Sequence, residues 1–295
     1  MEGGLRLQGV QKSGTPGAPL FSVILPIKDP DLDELRRAMD SVLDQTWKNV
    51  ELIVMDAASG PETVDVLRDY DDRIDYWRSA KDRGNYDAMN QAIDLAAGDW
   101  LYFLGADDVV VDMLHRLALR CQDRRTVYYG DVYMASRNRV YDGPFPWHKL
   151  RFKNVCHQAV FYPRTVFEKY RYQLQYNSCA DYDLNIKLWA DRSFKTQYLP
   201  ELIAIYGVGE STFINDPVFD RDQAELVEAA FGDRIRRRER WHRIRHRLGL
   251  LLPAALKKRL GRHLPDKRRA AYNPPWQRHR PGEATSDATL ADETA

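Results

Sequence analysis

The sequence predicts an α/β protein: a mostly parallel sheet flanked by helices, with a basic helical appendage toward the C-terminus. Three observations carry the prediction. Apolar, β-branched runs alternate with amphipathic runs through the first third of the chain, and the connections between them are short. Pro26, Asp56 and Asp107 each fall at or just past the C-terminal end of one of those apolar runs, which is where parallel sheets of this class bind ligands.

The elements follow in order. Residues 1–19 are rich in Gly, Ser and Pro and are expected to be disordered. The run "FSVILPI" (Phe21–Ile27) is a buried strand. After it, Asp31 can cap a helix that carries Glu34 three residues later and Leu32, Leu35, Met39 and Val42 at helical spacing. "VELIVMD" (Val50–Asp56) is a second strand, and Pro61 starts a second helix. "RIDYWRS" is a third strand, "YDAMNQAIDLAAG" a third helix stopped by Gly98, and "DWLYFLG" a fourth strand. The second half is less regular. "TVYYGDVYM" and "HQAVFY" read as strands, "DYDLNIKLWAD" as a helix, and "AELVEAAFG" as a helix ending at Gly232. The expected organisation is a folded domain over 20–232, a basic amphipathic helical segment over 233–272 and a disordered tail over 273–295.

The chain has 295 residues, 44% hydrophobic and 29% charged, enough apolar material for one sizeable core. Its net charge of +1 conceals a segregation: residues 233–280 hold 17 Lys and Arg against 3 Asp and Glu, whereas residues 1–232 hold 27 against 36. Three widely spaced cysteines, with no CxxC pair, argue against a zinc knuckle or a disulfide framework and fit a reducing cytosol. The N-terminus has no apolar signal region. The longest apolar run, "LGLLLPAAL" (Leu248–Leu256), contains a proline and falls short of the roughly 20 residues a membrane-spanning helix needs.

The chemistry concentrates at "FLGADDVV". Two adjacent carboxylates at a strand tip repel each other unless a cation or hydrogen bonds offset the repulsion. A hard divalent ion such as Mg²⁺ or Mn²⁺ takes oxygen ligands, often only one or two from protein, leaving positions for phosphate oxygens and water. Asp107 and Asp108 suit that use. The same pair also reads as a solvated turn that begins a helix.

The order of the motifs separates these readings. "SVILPI", "SVLDQTWKNVELIVMDAAS", "GNYDAMNQAIDLAAGDWLYFLGADD" and "ADYDLNIKLW" together resemble the family 2 glycosyltransferases, with their GT-A type, Rossmann-like fold. The resemblance spans about residues 21–210 and is nearest to members that build bacterial surface polysaccharides. It implies inverting transfer of a sugar from a nucleotide-diphosphate donor, a UDP-sugar before others, to a hydroxyl of a saccharide or lipid-linked acceptor in cell-surface polysaccharide or glycolipid synthesis. It also implies Mn²⁺ or Mg²⁺ at Asp107 and Asp108 to stabilise the leaving diphosphate.

The family places its general base just before or at the start of a helix in the second half, and "ADYDL" puts Asp181 there. Asp183 is the weaker alternative, and where members often carry Glu-Asp this chain has Ala180 before Asp181. On the donor side the resemblance implies Pro26, Asp56, Arg83, Asp87, Asn90, Ala106, Asp107 and His157. Without it, Asp181 reads as a helix cap, Arg83, Asp87 and Asn90 as a solvated helical turn, and His157 as a half-buried hydrogen-bonded histidine. Gly105 and Ala57 stand where many members have a further acid, which motivates one alternative: a catalytically inactive, nucleotide-sugar-binding membrane scaffold. A sugar nucleotidyltransferase is disfavoured because "PIKDPDLDE" lacks the glycine-rich phosphate loop that chemistry needs after the first strand. "GVGEST" (Gly207–Thr212) reads as a loop able to close on a diphosphate.

In the basic segment, Trp241, Ile244, Leu248 and Leu251 form one apolar stripe edged by arginine. That pattern reads as a peripheral contact with the inner face of a membrane. Docking of the stripe on the folded domain is the second reading. Nucleic acid is disfavoured, since aromatic residues able to stack on bases are sparse.

Overall fold

The alternating runs of the first half fold as expected, and each is set by its burial pattern. The computed structural model describes residues 1–207 and 215–251. Ten strands occur among the described residues: β1 (Glu2–Gly3), β2 (Phe21–Ile27), β3 (Val50–Asp56), β4 (Tyr76–Ser79), β5 (Trp100–Phe103), β6 (Val109–Val110), β7 (Thr126–Met134), β8 (Arg139–Tyr141), β9 (Val160–Pro163) and β10 (Lys195–Tyr206). The helices are α1 (Leu32–Leu43), α2 (Pro61–Asp69), α3 (Asn85–Leu95), α4 (Leu114–Ala118), α5 (Trp147–Leu150), α6 (Thr165–Lys169), α7 (Ala180–Ala190) and α8 (Pro217–Leu251).

The strands form one sheet in the order β1-β4-β3-β2-β5-β9-β7-β10-β6, with β8 on β7. Neighbours from β4 through β5 are parallel. Beyond β5 the sheet is mixed: β9 runs antiparallel to both β5 and β7, β10 runs parallel to β7, and β6 antiparallel to β10. The parallel half is therefore the part whose periodic helices were legible, because each parallel crossover needs a helix.

Both faces of the sheet are covered, so the central strands are apolar throughout instead of alternating. Val23 and Leu25 of β2 and Leu52 and Val54 of β3 pack with α1 and α2 residues such as Leu35, Met39 and Leu67. Ile24, Ile53 and Met55 face the other way, toward Met89, Ala92 and Ile93 of α3. On α1, Leu35, Ala38, Met39 and Val42 are buried, and the Asp31 carboxylate accepts from the Asp33 and Glu34 amides. Helix α3 ends at Leu95, ahead of Gly98. The glycine answers to a packing need instead: a Cβ there would lie 2.3 Å from Ser22 Oγ.

Two expectations change. Residues 1–19 are not disordered along their length. Strand β1 pairs antiparallel with the β4 edge, Tyr76 O–H donates to Glu2, and the Gly4 amide donates to Asp71. Arg6 reaches the buried Glu51 at 2.5 Å, and Lys12 donates to Asp75. Composition missed this because the ordering comes from edge pairing and two ion pairs, which a tally of Gly and Ser does not register. The second change is at Gly232, which lies inside α8 and does not end a helix. Residues 1–247 form one compact unit; residues 252–295, which hold the last part of the 233–272 segment and all of 273–295, lie outside the described residues. The "GVGEST" loop lies outside them too, apart from Gly207.

Candidate active site

A cleft of about 680 Å³ opens at the C-terminal ends of β2, β3 and β5. Pro26, Ile27 and Lys28 line it from the end of β2, Ala57 from the loop after β3, and Gly105, Ala106 and Asp107 from the loop after β5. The far wall comes from the second half of the chain: Arg137, Tyr141, Asn154, His157, Asp181 and Tyr182. A parallel sheet splays its loops outward at this edge, so the cleft lies where the topology leaves room for one.

Asp181 sits in the first turn of α7 and is 7% exposed. Tyr86 O–H donates to its Oδ1 at 2.9 Å and Asn154 Nδ2 to its Oδ2 at 2.7 Å. His157 Nδ1 lies 3.8 Å from Oδ2. Burial raises the Asp181 carboxyl above the usual carboxylate range, and the nearby His157, the Tyr86 hydroxyl, the Tyr182 amide and the Asn154 amide act against it. Such a carboxylate, buried yet facing a cleft, is suited to accept a proton from a bound hydroxyl.

The two adjacent acids after β5 separate. Asp107 lines the cleft. Asp108 is 1% exposed and turns beneath the loop, where it accepts from the amides of Gly105 at 3.0 Å and Gly207 at 2.8 Å and from Gln158 Nε2 at 2.6 Å. Burial, and then the charge of Asp107, push its carboxyl upward. The expectation that Asp107 and Asp108 act together as metal ligands therefore needs correcting: Asp108 is the knot that ties the β5 loop, the strand-leading segment at Gln158 and the end of β10. Gly105 follows from the same geometry. A Cβ at this position would lie 2.6 Å from Asp108 Oδ2 and 3.0 Å from Asp107 Oδ1. The glycine is there because the Asp108 carboxylate fills the space.

Of the residues expected at the donor, the structure brings Pro26, Ala106, Asp107 and His157 to the cleft wall together with Asp181. Asp56, Arg83, Asp87 and Asn90 are not on that wall. Asp56, at the tip of β3, accepts from the Ser59 amide and hydroxyl and so orders its own loop. Asp87 accepts from Arg83 and from Gln91, which holds the turn leading into α3. Asn90 uses both ends of its amide on the backbone of Tyr172, at 2.9 and 3.1 Å. Adjacent positions on a short helix face different ways, and strings of polar letters do not reveal which way.

Among the wall residues that escaped the sequence reading are Lys28, Tyr86, Arg137 and Asn154. Tyr86 carried a weak signal, as a tyrosine in the first turn of α3. Asn154 carried none, because its partner Asp181 is 27 residues away. Among the described residues, no group of three or more His, Cys, Asp or Glu side chains gathers as a protein-only metal cage. Asp107 alone fits a divalent ion whose remaining ligands come from phosphate and water.

The basic stretch divides. Phe231 of α8 is buried against Trp147, with ring centroids 5.7 Å apart, and Arg234 donates to the Trp189 and Ala190 carbonyls at the end of α7. Farther along, Trp241 and Ile244 are 60% and 40% exposed.

Comparison with known proteins agrees with this picture. The model of glycosyl transferase family 2 matches residues 22–183. A PGL/p-HBAD biosynthesis glycosyltransferase of Mycobacterium tuberculosis (strain ATCC 25177 / H37Ra) is 38% identical over 199 residues, covering 64% of this chain and 77% of that protein. An uncharacterized glycosyltransferase of M. tuberculosis (strain ATCC 25618 / H37Rv) is 35% identical over 188 residues, covering 60% and 68%. Among solved structures, S. aureus TarS 1-349 in complex with UDP-GlcNAc aligns with a TM-score of 0.60 at 14% identity, covering 72% of this chain and 66% of that one, just under two thirds. The mannosyltransferase PcManGT from Pyrobaculum calidifontis, in complex with GDP-Man and Mn²⁺, aligns at 0.53 with 15% identity, covering 78% and 69%. At such identities these likenesses speak to the GT-A fold.

Proposed function

The chain belongs to glycosyl transferase family 2, and from that premise we propose that it moves a sugar, with inversion, from a nucleotide-diphosphate donor to an acceptor hydroxyl, with Asp181 as the general base. One observation carries the reading: a buried carboxylate with a raised pKa, held by two donors, faces a cleft whose opposite wall holds Asp107 beyond the parallel strands. The donor's nucleoside would lie along Pro26, Ala57 and Ala106, as nucleotides lie at this edge of parallel sheets. Lys28 and Arg137 add positive charge for phosphate or an acidic acceptor.

In the transfer, the acceptor oxygen bonds to the anomeric carbon on the face opposite the diphosphate. The carbon–oxygen bond to the diphosphate breaks, and the leaving phosphate keeps the electron pair. Asp181 takes the acceptor's proton. A divalent ion, Mn²⁺ or Mg²⁺, would supply charge stabilisation of the leaving group, and Asp107 is the side chain placed to hold it. Asp108 is left out of that role in this reading, because it is 1% exposed and accepts from Gly105, Gly207 and Gln158.

The known proteins it resembles support a nucleotide-sugar donor, as the TarS complex holds UDP-GlcNAc and PcManGT holds GDP-Man, while the mycobacterial relative is named for PGL/p-HBAD biosynthesis. A lipid-linked acceptor is in keeping with peripheral membrane contact at exposed Trp241 and Ile244, beside Arg237, Arg238 and Arg240. No helix among the described residues is long and apolar enough to cross a membrane. The inactive-scaffold alternative loses one of its two motives, since packing against Asp108 accounts for Gly105, while Ala57 remains.

The test is nucleotide release from candidate sugar nucleotides with Mn²⁺ and a membrane lipid extract. Acceptor-dependent release that disappears in Asp181→Asn, with nucleotide affinity retained, is the expected result. Unchanged turnover in that variant removes Asp181 as the base. A folded protein that releases nothing from any common donor removes the transferase reading.

A further inference from the structure

Asp181 stands at the end of a chain of hydrogen bonds that runs through the interior of the second half. Tyr162 O–H, on β9, donates to Asn185 Oδ1 at 2.9 Å. Asn185 Nδ2, on α7, donates to Asn154 Oδ1 at 3.0 Å. Asn154 Nδ2 then donates to Asp181 Oδ2 at 2.7 Å. Tyr162 and Asn185 are 0% exposed, so bulk water does not compete for these groups.

Every link has a fixed direction. An ionised carboxylate only accepts, so the nitrogen of Asn154 must face Asp181. That leaves the Asn154 oxygen toward Asn185, whose nitrogen must donate. The Asn185 oxygen then accepts the single proton of Tyr162. Turning over either amide would set two donors or two acceptors face to face, at the cost of unsatisfied buried groups. The segment carrying Asn154 has no helix or strand of its own. It is pinned because Tyr141 O–H donates to the Asn154 carbonyl at 2.6 Å.

We infer that Asn154, locked by Asn185 and Tyr162, is a positioning residue that holds the Asp181 carboxylate in one rotamer and in its ionised form, ready to receive the acceptor's proton. The inference rests on the reading of Asp181 as base and names what keeps that base in place. Tyr86 O–H holds the other oxygen, Oδ1, at 2.9 Å. The chain adds two fixed hydrogen bonds to whatever His157, 3.8 Å away, contributes to holding a buried acid beside a cleft. The Tyr86 hydroxyl, the Tyr182 amide and the Asn154 amide, all neutral donors, offset part of its desolvation.

The surroundings make the effect measurable. The tyrosines around Asp181, namely Tyr86, Tyr141, Tyr162, Tyr172 and Tyr182, are pushed upward by burial, as are the thiols of Cys156 and Cys179. None of them changes charge near neutral pH. His157, 3.8 Å from the carboxylate, is charged only when protonated, and His157→Gln removes it from the readout.

The experiment is a pH titration of the full chain labelled with aspartate carrying ¹³C at the carboxyl carbon, followed by NMR in the His157→Gln background. The Asp181 resonance is identified by its loss in Asp181→Asn. Asn154→Ala is expected to raise the Asp181 midpoint by about one pH unit. Tyr162→Phe, which loosens the far anchor and leaves the neighbours of the carboxylate intact, is expected to raise it by less and serves if Asn154→Ala fails to fold. A folded Asn154→Ala protein with an unmoved midpoint overturns the inference. Turnover separates it from the reading of Asp181 as base. A raised midpoint with a matching shift of the acid limb of kcat supports both, whereas a raised midpoint with an unmoved limb keeps the positioning role and removes the base.

Discussion

Restoring the acid that many relatives carry at the start of the D-x-D pattern should damage this protein. In Gly105→Asp the new Cβ would sit 2.6 Å from Asp108 Oδ2, well inside van der Waals contact. The Asp108 carboxylate cannot simply swing aside, because three donors hold it: the amides of Gly105 and Gly207 and the side chain of Gln158. Moving it forfeits at least one hydrogen bond to a charged group, about 1.5–3 kcal/mol. Forcing atoms into a filled space adds about 1–3 kcal/mol. Gly105→Ala isolates the steric part and should cost about 3 kcal/mol, which for a domain of this size lowers the Tm by about 6–12 °C. Gly105→Asp should be worse, since it sets a third carboxylate beside Asp107 and Asp108. Calorimetric melting gives the stability and titration with a nucleoside diphosphate gives the affinity. If Gly105→Asp melts within about 2 °C of the parent and binds nucleotide more tightly, the steric account of the glycine is wrong and the position is an acid site left vacant.

Three further outcomes follow from the described contacts. Arg6→Ala removes the cation from Glu51, which is 1% exposed, and should cost about 3 kcal/mol in urea unfolding, whereas a protein with a dispensable N-terminal segment would lose almost nothing. Asp216→Ala removes the acceptor for the amides of Phe219, in the first turn of α8, and Ser178, three residues ahead of Asp181; a loss of about 1 kcal/mol should accompany lower kcat at unchanged donor affinity, and an unaltered kcat would count against the link. Asp181→Asn should melt above the parent at alkaline pH. A carboxyl raised by burial adds stability only while protonated, so its contribution is present below the ordinary carboxylate range and disappears as pH rises through the folded-state value; above that, the buried charge is a cost that the amide lacks. The gap in Tm should close as pH falls, and a variant that melts below the parent at every pH would contradict this.

The sequence disclosed most where a residue's role is set by its near neighbours. β2 and β3 have the bounds that their apolar runs implied, Asp31 caps α1, and Asp181 opens α7. Those features depend on periodicity and on caps within a few residues. Direction was not legible. Asp107 and Asp108 are adjacent, yet one faces the cleft and the other is buried, and the difference depends on Gln158 and Gly207, far along the chain. Asp56, Asp87 and Asn90 share the composition of a ligand set, but their partners are the protein's own backbone and side chains. The mixed second half of the sheet was indistinct because its strands pair with elements distant in sequence, and pairing partners leave no periodic trace.

Helix α3 has a consequence for exchanging parts between relatives. It belongs by sequence to the nucleotide-facing half, yet Tyr86 reaches across to the Asp181 carboxylate and Asn90 grips the backbone of Tyr172. The boundary between donor and acceptor halves therefore does not coincide with any cut in the chain. A chimera that took its acceptor half from a relative, with the aim of changing which hydroxyl is glycosylated, would bring in a base without its tyrosine unless two residues of α3 travelled with it. Directed recombination therefore has to treat Tyr86 and Asn90 as part of the graft.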